Sequence, residues 1–202
     1  MSDYDSLIST VPGGIATAES VRRRIRLAIE GSPVPEDPVH SLNTLQWLLQ
    51  IAPHADEALR IAALGHDIDR AAGPRRVRKA DFEDFEEFKA AHAKNSAQIL
   101  LELLEECGVE KAVREEVFRL VCLHETGGDE RSNLLRDADS LSFFEVNLPH
   151  YFARHGMEAA LERSVWGYMR LSRELQGVVK GFSYDDERLN TLVQQVVAAV
   201  EE

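Results

Sequence analysis

Almost every stretch of this chain repeats its apolar residues with a helical period, and no run alternates with the period of two that a strand requires. Leu161, Val165, Tyr168, Leu171 and Leu175 form one such stripe, and Leu189, Leu192, Val196 and Val200 another. Each lies along a single helical face and is expected to face a core. Helices are predicted from about Ala18 to Glu30, ended by Gly31 and the breakers Pro33 and Pro35, and from Asp37 as N-cap, with Pro38 in the first turn, to about Ile51. Pro53 separates these from a helix over about Asp56 to Asp69, and a loop follows from Ala71 to Lys79. Asp81 caps a long helix to about Cys107, closed by Gly108. Further helices run over about Glu110 to His124, Glu130 to Phe143, Glu158 to Gly177 and Asp185 to Glu201. There is no internal repeat and no low-complexity segment. The expectation is an all-α, single-domain helical bundle over residues 18–202, preceded by a flexible N-terminal segment over residues 1–17.

Composition narrows the partners. With 202 residues, 44% of them hydrophobic, the chain has material for one sizeable core. Its 23 basic and 35 acidic residues leave a net charge of −12, which repels nucleic acid and anionic membranes, so neither is expected to bind. No apolar run approaches the roughly 20 residues of a bilayer crossing. The opening MSDYDSLISTVPGG has neither the basic start nor the apolar stretch of a signal peptide. Cys107 and Cys122 sit inside helical patterns and fit no close ligand spacing, so they are expected as reduced thiols in a cytoplasmic protein.

Four of the 7 histidines lie on or beside the apolar face of a predicted helix. His40 is in line with Thr44 and Trp47, and His66 follows Leu59, Ala62 and Ala63. His92 follows Phe85 and Phe88 on the stripe that reaches Ile99, and His124 completes Val113, Val117, Leu120 and Val121. An imidazole carried into an apolar interior is costly without a partner, and a shared metal ion satisfies several at once. One inward histidine is ordinarily a core residue bonded to a carbonyl. Four of them from four helices, with Asp67 directly after His66 and Asp139 further on, point to a metal centre. His54, beside Pro53, is expected to be exposed, and His150 and His155 match no ligand position.

These elements resemble the HD superfamily of metal-dependent phosphohydrolases. The matching segments are Pro38-Val39-His40-Ser41, the pair within Ala62-Ala63-Leu64-Gly65-His66-Asp67-Ile68, and Ala138-Asp139 followed by Leu141, which together span about half the chain. The resemblance implies an HD-domain helical bundle in which His40, His66, Asp67 and Asp139 bind one ion. Asp139 is preferred to Asp137 because the family's last ligand usually follows an alanine and precedes x-Leu. His92 and His124, falling between the pair and the last aspartate, are similar to those of the subset that binds two metals bridged by Asp67. That subset includes symmetrical dinucleoside tetraphosphate hydrolases and di-iron oxygenases similar to myo-inositol oxygenase; the alternative is a one-metal site with His92 and His124 behind it. Two features depart from common patterns: Ile68-Asp69-Arg70 stands in place of x-Gly-Lys, and there is no Gly-Tyr-Pro element, Gly167-Tyr168-Met169 being far downstream. The stretch from Phe143-Phe144-Glu145 onward resembles a domain family of unassigned function and adds no chemistry.

The function so implied is hydrolysis of a phosphate ester or anhydride, the substrate being a small phosphorylated metabolite or nucleotide, through a metal-activated water. The cofactor is a divalent transition metal (Fe, Mn, Co, Ni or Zn), expected as two ions. Asp67 would hold metal and orient the water, and Arg70, one helical turn past His66, would supply positive charge toward the substrate. Arg75, Arg76, Arg78, Lys79 and Ser96 would contact the substrate. For the basic loop the alternative is a solvated segment paired with Asp81, Glu83, Asp84, Glu86 and Glu87. Ser96 shares the helical face of His92, which Lys94 and Asn95 do not. Glu125 is a candidate acceptor for an imidazole N–H. Two other functions fit the same ligands, a di-iron oxygenase and a non-catalytic nucleotide-binding module. The oligomeric state is not legible in the sequence.

Overall fold

A computed structural model describes residues 15–201; residues 1–14, and with them most of the flexible segment expected over 1–17, lie outside the described residues. Nine α-helices and no strand occur among the described residues: α1 (Ile15–Glu30), α2 (Asp37–Ile51), α3 (Glu57–Gly65), α4 (Phe85–Glu106), α5 (Lys111–Cys122), α6 (Glu130–Ser142), α7 (Leu148–Arg170), α8 (Arg173–Val179) and α9 (Glu187–Glu201). The all-α, single-domain class expected from periodicity is the observed one. No helix among the described residues is long and apolar enough to cross a membrane.

Local chemistry explains where the helices start. The Asp56 carboxylate caps α3 by accepting from Leu59 N–H at 3.0 Å, and Asp129 opens α6 with a reciprocal capping box to Ser132. Several boundaries differ from expectation. The cap of α4 is Asp84, which accepts from Glu87 N–H at 2.9 Å, whereas Asp81 ends a short 3-10 turn and pairs with Arg78. Asp37 lies inside the first turn of α2, and its carboxylate accepts from Arg70 and Ser32 instead of capping the backbone. The helix expected over 158–177 starts earlier, at Leu148, is kinked at Gly156 (φ 79), and ends at Arg170 before Ser172 caps α8. Glycine reaches that positive φ without the steric penalty a Cβ imposes.

Two apolar clusters make the core. The first joins α1 to α6 through Ile25, Leu48, Leu64, Leu100 and Leu120, all fully buried; the second joins the C-terminal helices through Phe144, Leu148, Tyr168, Leu192 and Val196. Fully burying each such side chain contributes about 1.5–3 kcal/mol. Ala138 belongs to the first cluster and Leu141 to the second, so Asp139 stands at the seam. Gly65 lets α3 press against α4, since a Cβ there would lie 2.6 Å from Leu100 Cδ2. The chain passes from α6 into α7 through one π-helical turn, Phe143–Asn147, in which Leu148 N–H bonds the Phe143 carbonyl. Cys107 and Cys122 are free and half-buried.

Candidate metal centre

Helix α3 stops at Gly65, four residues short of the expected end, and this termination shapes the centre. His66 keeps helical angles (φ −53, ψ −33), Asp67 leaves them (φ −102, ψ 13), and a 3-10 turn follows over Ile68–Ala71. The His66–Asp67 pair therefore sits at a helix C-terminus and not along a helical face. The turn folds Arg70 back, so that its guanidinium lies 2.8 Å from Asp67 Oδ2 and 2.9 Å from Asp37 Oδ1. His40 comes from α2, His92 from α4 and Asp139 from α6, while His124 lies just beyond the end of α5. All six side chains are buried, from 0% exposure for His124 to 9% for Asp67.

Hydrogen bonds at the outer nitrogens fix the imidazole tautomers. His66 Nδ1 is 3.0 Å from the Ala63 carbonyl and His124 Nδ1 is 2.7 Å from the Val121 carbonyl; a carbonyl only accepts, so both Nδ1 atoms carry the proton. His92 Nδ1 donates to Asp69 Oδ2 at 2.9 Å. His40 Nδ1 donates to Ser142 Oγ at 2.8 Å, the serine's own proton going to the His40 carbonyl at 3.2 Å. Four Nε2 lone pairs are thereby turned inward. His40 Nε2 and His66 Nε2 stand 3.2 Å apart, and Asp139 Oδ1 is 3.2 Å from the first and 3.3 Å from the second. Asp67 offers one oxygen to each side: Oδ1 is 2.8 Å from His92 Nε2 and 4.0 Å from His124 Nε2, and Oδ2 is 3.6 Å from both His40 Nε2 and His66 Nε2. His124 Nε2 has no hydrogen-bond partner.

Lone pairs packed this closely repel one another unless a cation lies among them. The donors fall into two triads that can each hold a metal ion, His40–His66–Asp139 and Asp67–His92–His124. Nitrogen and oxygen ligands about 2.0–2.2 Å from a common ion stand about 3–3.5 Å from one another, the separation seen in the first triad. A proton can substitute for the ion at His66: burial disfavours its charge, but Asp67 and Asp139 outweigh burial and push its pKa up to about 9. Burial likewise opposes ionisation of Asp67 and Asp139, yet Arg70 and His66 hold the first, and His40 and His66 the second, well below the usual carboxylate range. At His124 burial dominates and lowers the pKa, favouring the neutral, ligating form.

A surrounding layer orients these ligands. Asp69 receives His92 Nδ1–H, is itself bonded by Asn95 and by Val77 N–H, and so fixes the ring that faces Asp67. Ser96 is fully buried, and its hydroxyl accepts from Asp69 N–H at 3.2 Å; it braces the turn from behind. Replacing Asp69 with asparagine is expected to weaken metal binding at the second triad by about 10–100-fold, measurable by competition with a chelating dye while circular dichroism remains unchanged. Glu125 pairs with the buried Lys89 and lies 3.3 Å from His124 Nε2, the nitrogen without a proton, so it is not the N–H acceptor expected of it. Arg170 donates to the His124 carbonyl at 2.8 Å and lies 3.4 Å from Asp139 Oδ2.

A cavity of about 190 Å³ opens against the first triad, with His40, Asp139 and Arg70 on its inner wall. Arg76, Arg154 and Arg163 line the rest with Phe143 and Tyr151, and the π-helical turn contributes Phe143 and Asn147 to one wall. Of the basic loop, Arg76 alone reaches this space. Arg75 pairs with Glu102 at 2.8 Å, Arg78 with Asp81 at 3.0 Å, and Lys79 Nζ lies 5.2 Å from the centre of the Phe85 ring. Asp137 turns toward Arg136 at 2.8 Å, away from both triads. His54, His150 and His155 are exposed, His155 stacking on Tyr151. The residues that sequence reasoning missed are cations: Lys89 on α4 and Arg154, Arg163 and Arg170 on α7. The spacing Arg163-Trp166-Arg170 was the available signal, because it places both guanidiniums over one indole, at 4.5 and 4.2 Å.

The fold and its centre define an all-helical protein with two buried histidine–aspartate triads able to hold metal. Residues 23–193 match the family described as "Domain of unknown function (DUF4202)", and the chain belongs to that family. No curated protein and no solved structure matches the chain.

Proposed function

We propose that this protein is a metal-dependent phosphohydrolase of the HD type, cleaving a phosphate ester or anhydride of a small metabolite or nucleotide. The observation that carries the reading is a pair of histidine–aspartate triads, the first of which puts His40 and Asp139 on the wall of a cavity that four arginines also line. In a chain of net charge −12 such a cavity is a local reversal of sign, which concentrates anions.

The triads His40–His66–Asp139 and Asp67–His92–His124 would hold divalent ions, which would supply a water of pKa about 7 in place of near 16 and positive charge for a phosphoryl group. The chain's own residues do the rest. Asp67, with an oxygen toward each triad, ties the two halves of the centre together, and Arg70, fixed by Asp37, keeps that carboxylate ionised and oriented. The cavity arginines draw the phosphoryl group toward Asp139 and His40, while the Phe143 and Tyr151 rings give the cavity an apolar part of its wall. The reaction adds water across the P–O bond, releasing phosphate and the alcohol or acid formerly attached to it. The arginine wall favours this reading over an oxygenase, which needs no anionic substrate.

The test is phosphate release from an aryl phosphate and a nucleotide panel, with the protein loaded separately with Mn, Fe, Co, Ni and Zn. The expected result is turnover with at least one metal that EDTA abolishes. Iron binding with oxygen uptake and no phosphate release would replace the hydrolase with an oxygenase, and tight nucleotide binding without turnover would replace it with a binding module.

A further inference from the structure

The cavity arginines differ in how their charge is met. Arg70 is held between Asp37 and Asp67, and Arg154 is paired with Glu36, one of its two contacts measuring 2.9 Å. Arg163 and Arg76 form no ion pair with any described carboxylate, and Arg163 Nη1, buried, has no hydrogen-bond partner. Arg163 is instead clasped between two rings, its guanidinium carbon 4.3 Å from the centre of Phe143 and 4.5 Å from that of Trp166. Burial, and then the neighbouring Arg170, push its pKa down to about 10, which still leaves it charged at neutral pH. A guanidinium that forms no ion pair and keeps a buried N–H unpartnered is costly unless an anion comes to it.

The two arginines without an ion pair reach the cavity from different elements. Arg76 belongs to the loop after the His66–Asp67 turn, and Arg163 to α7, and both share that cavity with His40 and Asp139 of the first triad. The guanidinium fork matches two oxygens of a phosphate, and two such charges match a terminal phosphate dianion. A phosphodiester carries one negative charge and a second substituent that must also be housed. About 190 Å³ is small beside the roughly 300–1,000 Å³ of pockets that enclose drug-sized ligands.

We propose that Arg163 and Arg76 form an anion subsite that selects a terminal phosphate dianion, making the substrate a phosphomonoester and not a phosphodiester. The subsite stands on the cavity alone; the substrate class rests on the hydrolase reading above. The experiment titrates inorganic phosphate calorimetrically into the metal-loaded protein and its Arg163→Gln, Arg163→Lys and Arg76→Ala variants, and compares steady-state kinetics on p-nitrophenyl phosphate and bis-p-nitrophenyl phosphate. Arg163→Gln and Arg76→Ala should each weaken phosphate binding roughly tenfold, with Arg163→Lys recovering part of it. On the monoester these changes should appear in KM more than in kcat, and the diester should be turned over poorly by every form. Should Arg163→Gln fail to fold, Arg76→Ala, on an exposed loop, carries the same test. Unchanged phosphate affinity in both variants would overturn the subsite while leaving hydrolysis in place, and efficient diester turnover would overturn the substrate class. Phosphate binding that depends on both arginines, without turnover of any phosphate ester, would support the subsite and withdraw the hydrolase.

Discussion

Replacing Asp67 with asparagine is expected to strip metal from both triads together and to slow hydrolysis by roughly 1,000-fold or more, the scale seen when one essential catalytic group is removed. Asparagine keeps the volume of the side chain but loses its charge and replaces one oxygen with an NH2 group that cannot ligate. Because Asp67 aims Oδ1 at His92 and His124, and Oδ2 at His40 and His66, the loss reaches both sides at once. It also leaves Arg70 with Asp37 as its remaining close carboxylate. Elemental analysis of the purified variant and its rate on an aryl phosphate would check this. Full metal content with more than a tenth of the wild-type rate would refute it. Asp137→Asn is the matched control, since that carboxylate is bound to Arg136 and should leave the metal content unchanged.

The second large effect concerns stability. Four inward lone pairs and two carboxylates gather at a seam between two apolar clusters, and an ion that binds the folded chain alone stabilises it by mass action. At a free metal concentration near 1,000 times Kd the gain is about 4 kcal/mol. For a chain of this length that corresponds to a rise in Tm of roughly 8–16 °C. Scanning calorimetry should show this shift lost in EDTA and restored by adding metal back. A Tm indifferent to both treatments would mean that the triads are held by protons alone.

How much of this was legible in the sequence depends on how local the cause is. The apolar stripes of α4, α5 and α9 obey a period that survives packing, so their existence and type could be read directly. The expected end of α3 falls too late, because Gly65, the one stop signal in Leu64-Gly65-His66-Asp67, is outweighed there by the apolar stripe that leads to His66. Past Gly65 the chain leaves the helix in a turn that brings Asp67 to Arg70 close by and to His92 on α4, and that second partner is distant in sequence. Asp81 and Asp84 are equally good caps on paper; a 3-10 turn ending at Asp81 and its ion pair with Arg78 left Asp84 to open α4. The first half of α7 was hidden by Pro149, which is tolerated in a first helical turn, and by the break at Gly156. Among the site residues, the four candidate histidines were legible because histidine on an apolar stripe is anomalous within its own helix, Asp67 because it directly follows His66, and Asp139 only through the resemblance. Arg154 and Arg163 were not, because an arginine on a helix becomes unusual only once tertiary packing gives it a cavity to face or withholds its counter-ion.

Every candidate ligand lies within residues 40–139, the last of them at the seam, whereas Arg154 and Arg163 stand on α7 beyond it. Of the two arginines of the proposed anion subsite, Arg76 is therefore inherited with the candidate ligands and Arg163 apart from them. Drift at Arg154 or Arg163 would change the cavity wall while the six candidate ligands stay in place, whereas drift at Arg170, which touches the His124 carbonyl and Asp139, would reach the centre itself. A family built on this plan can diversify its ligands by editing one helix, and an engineer seeking a new specificity would begin there.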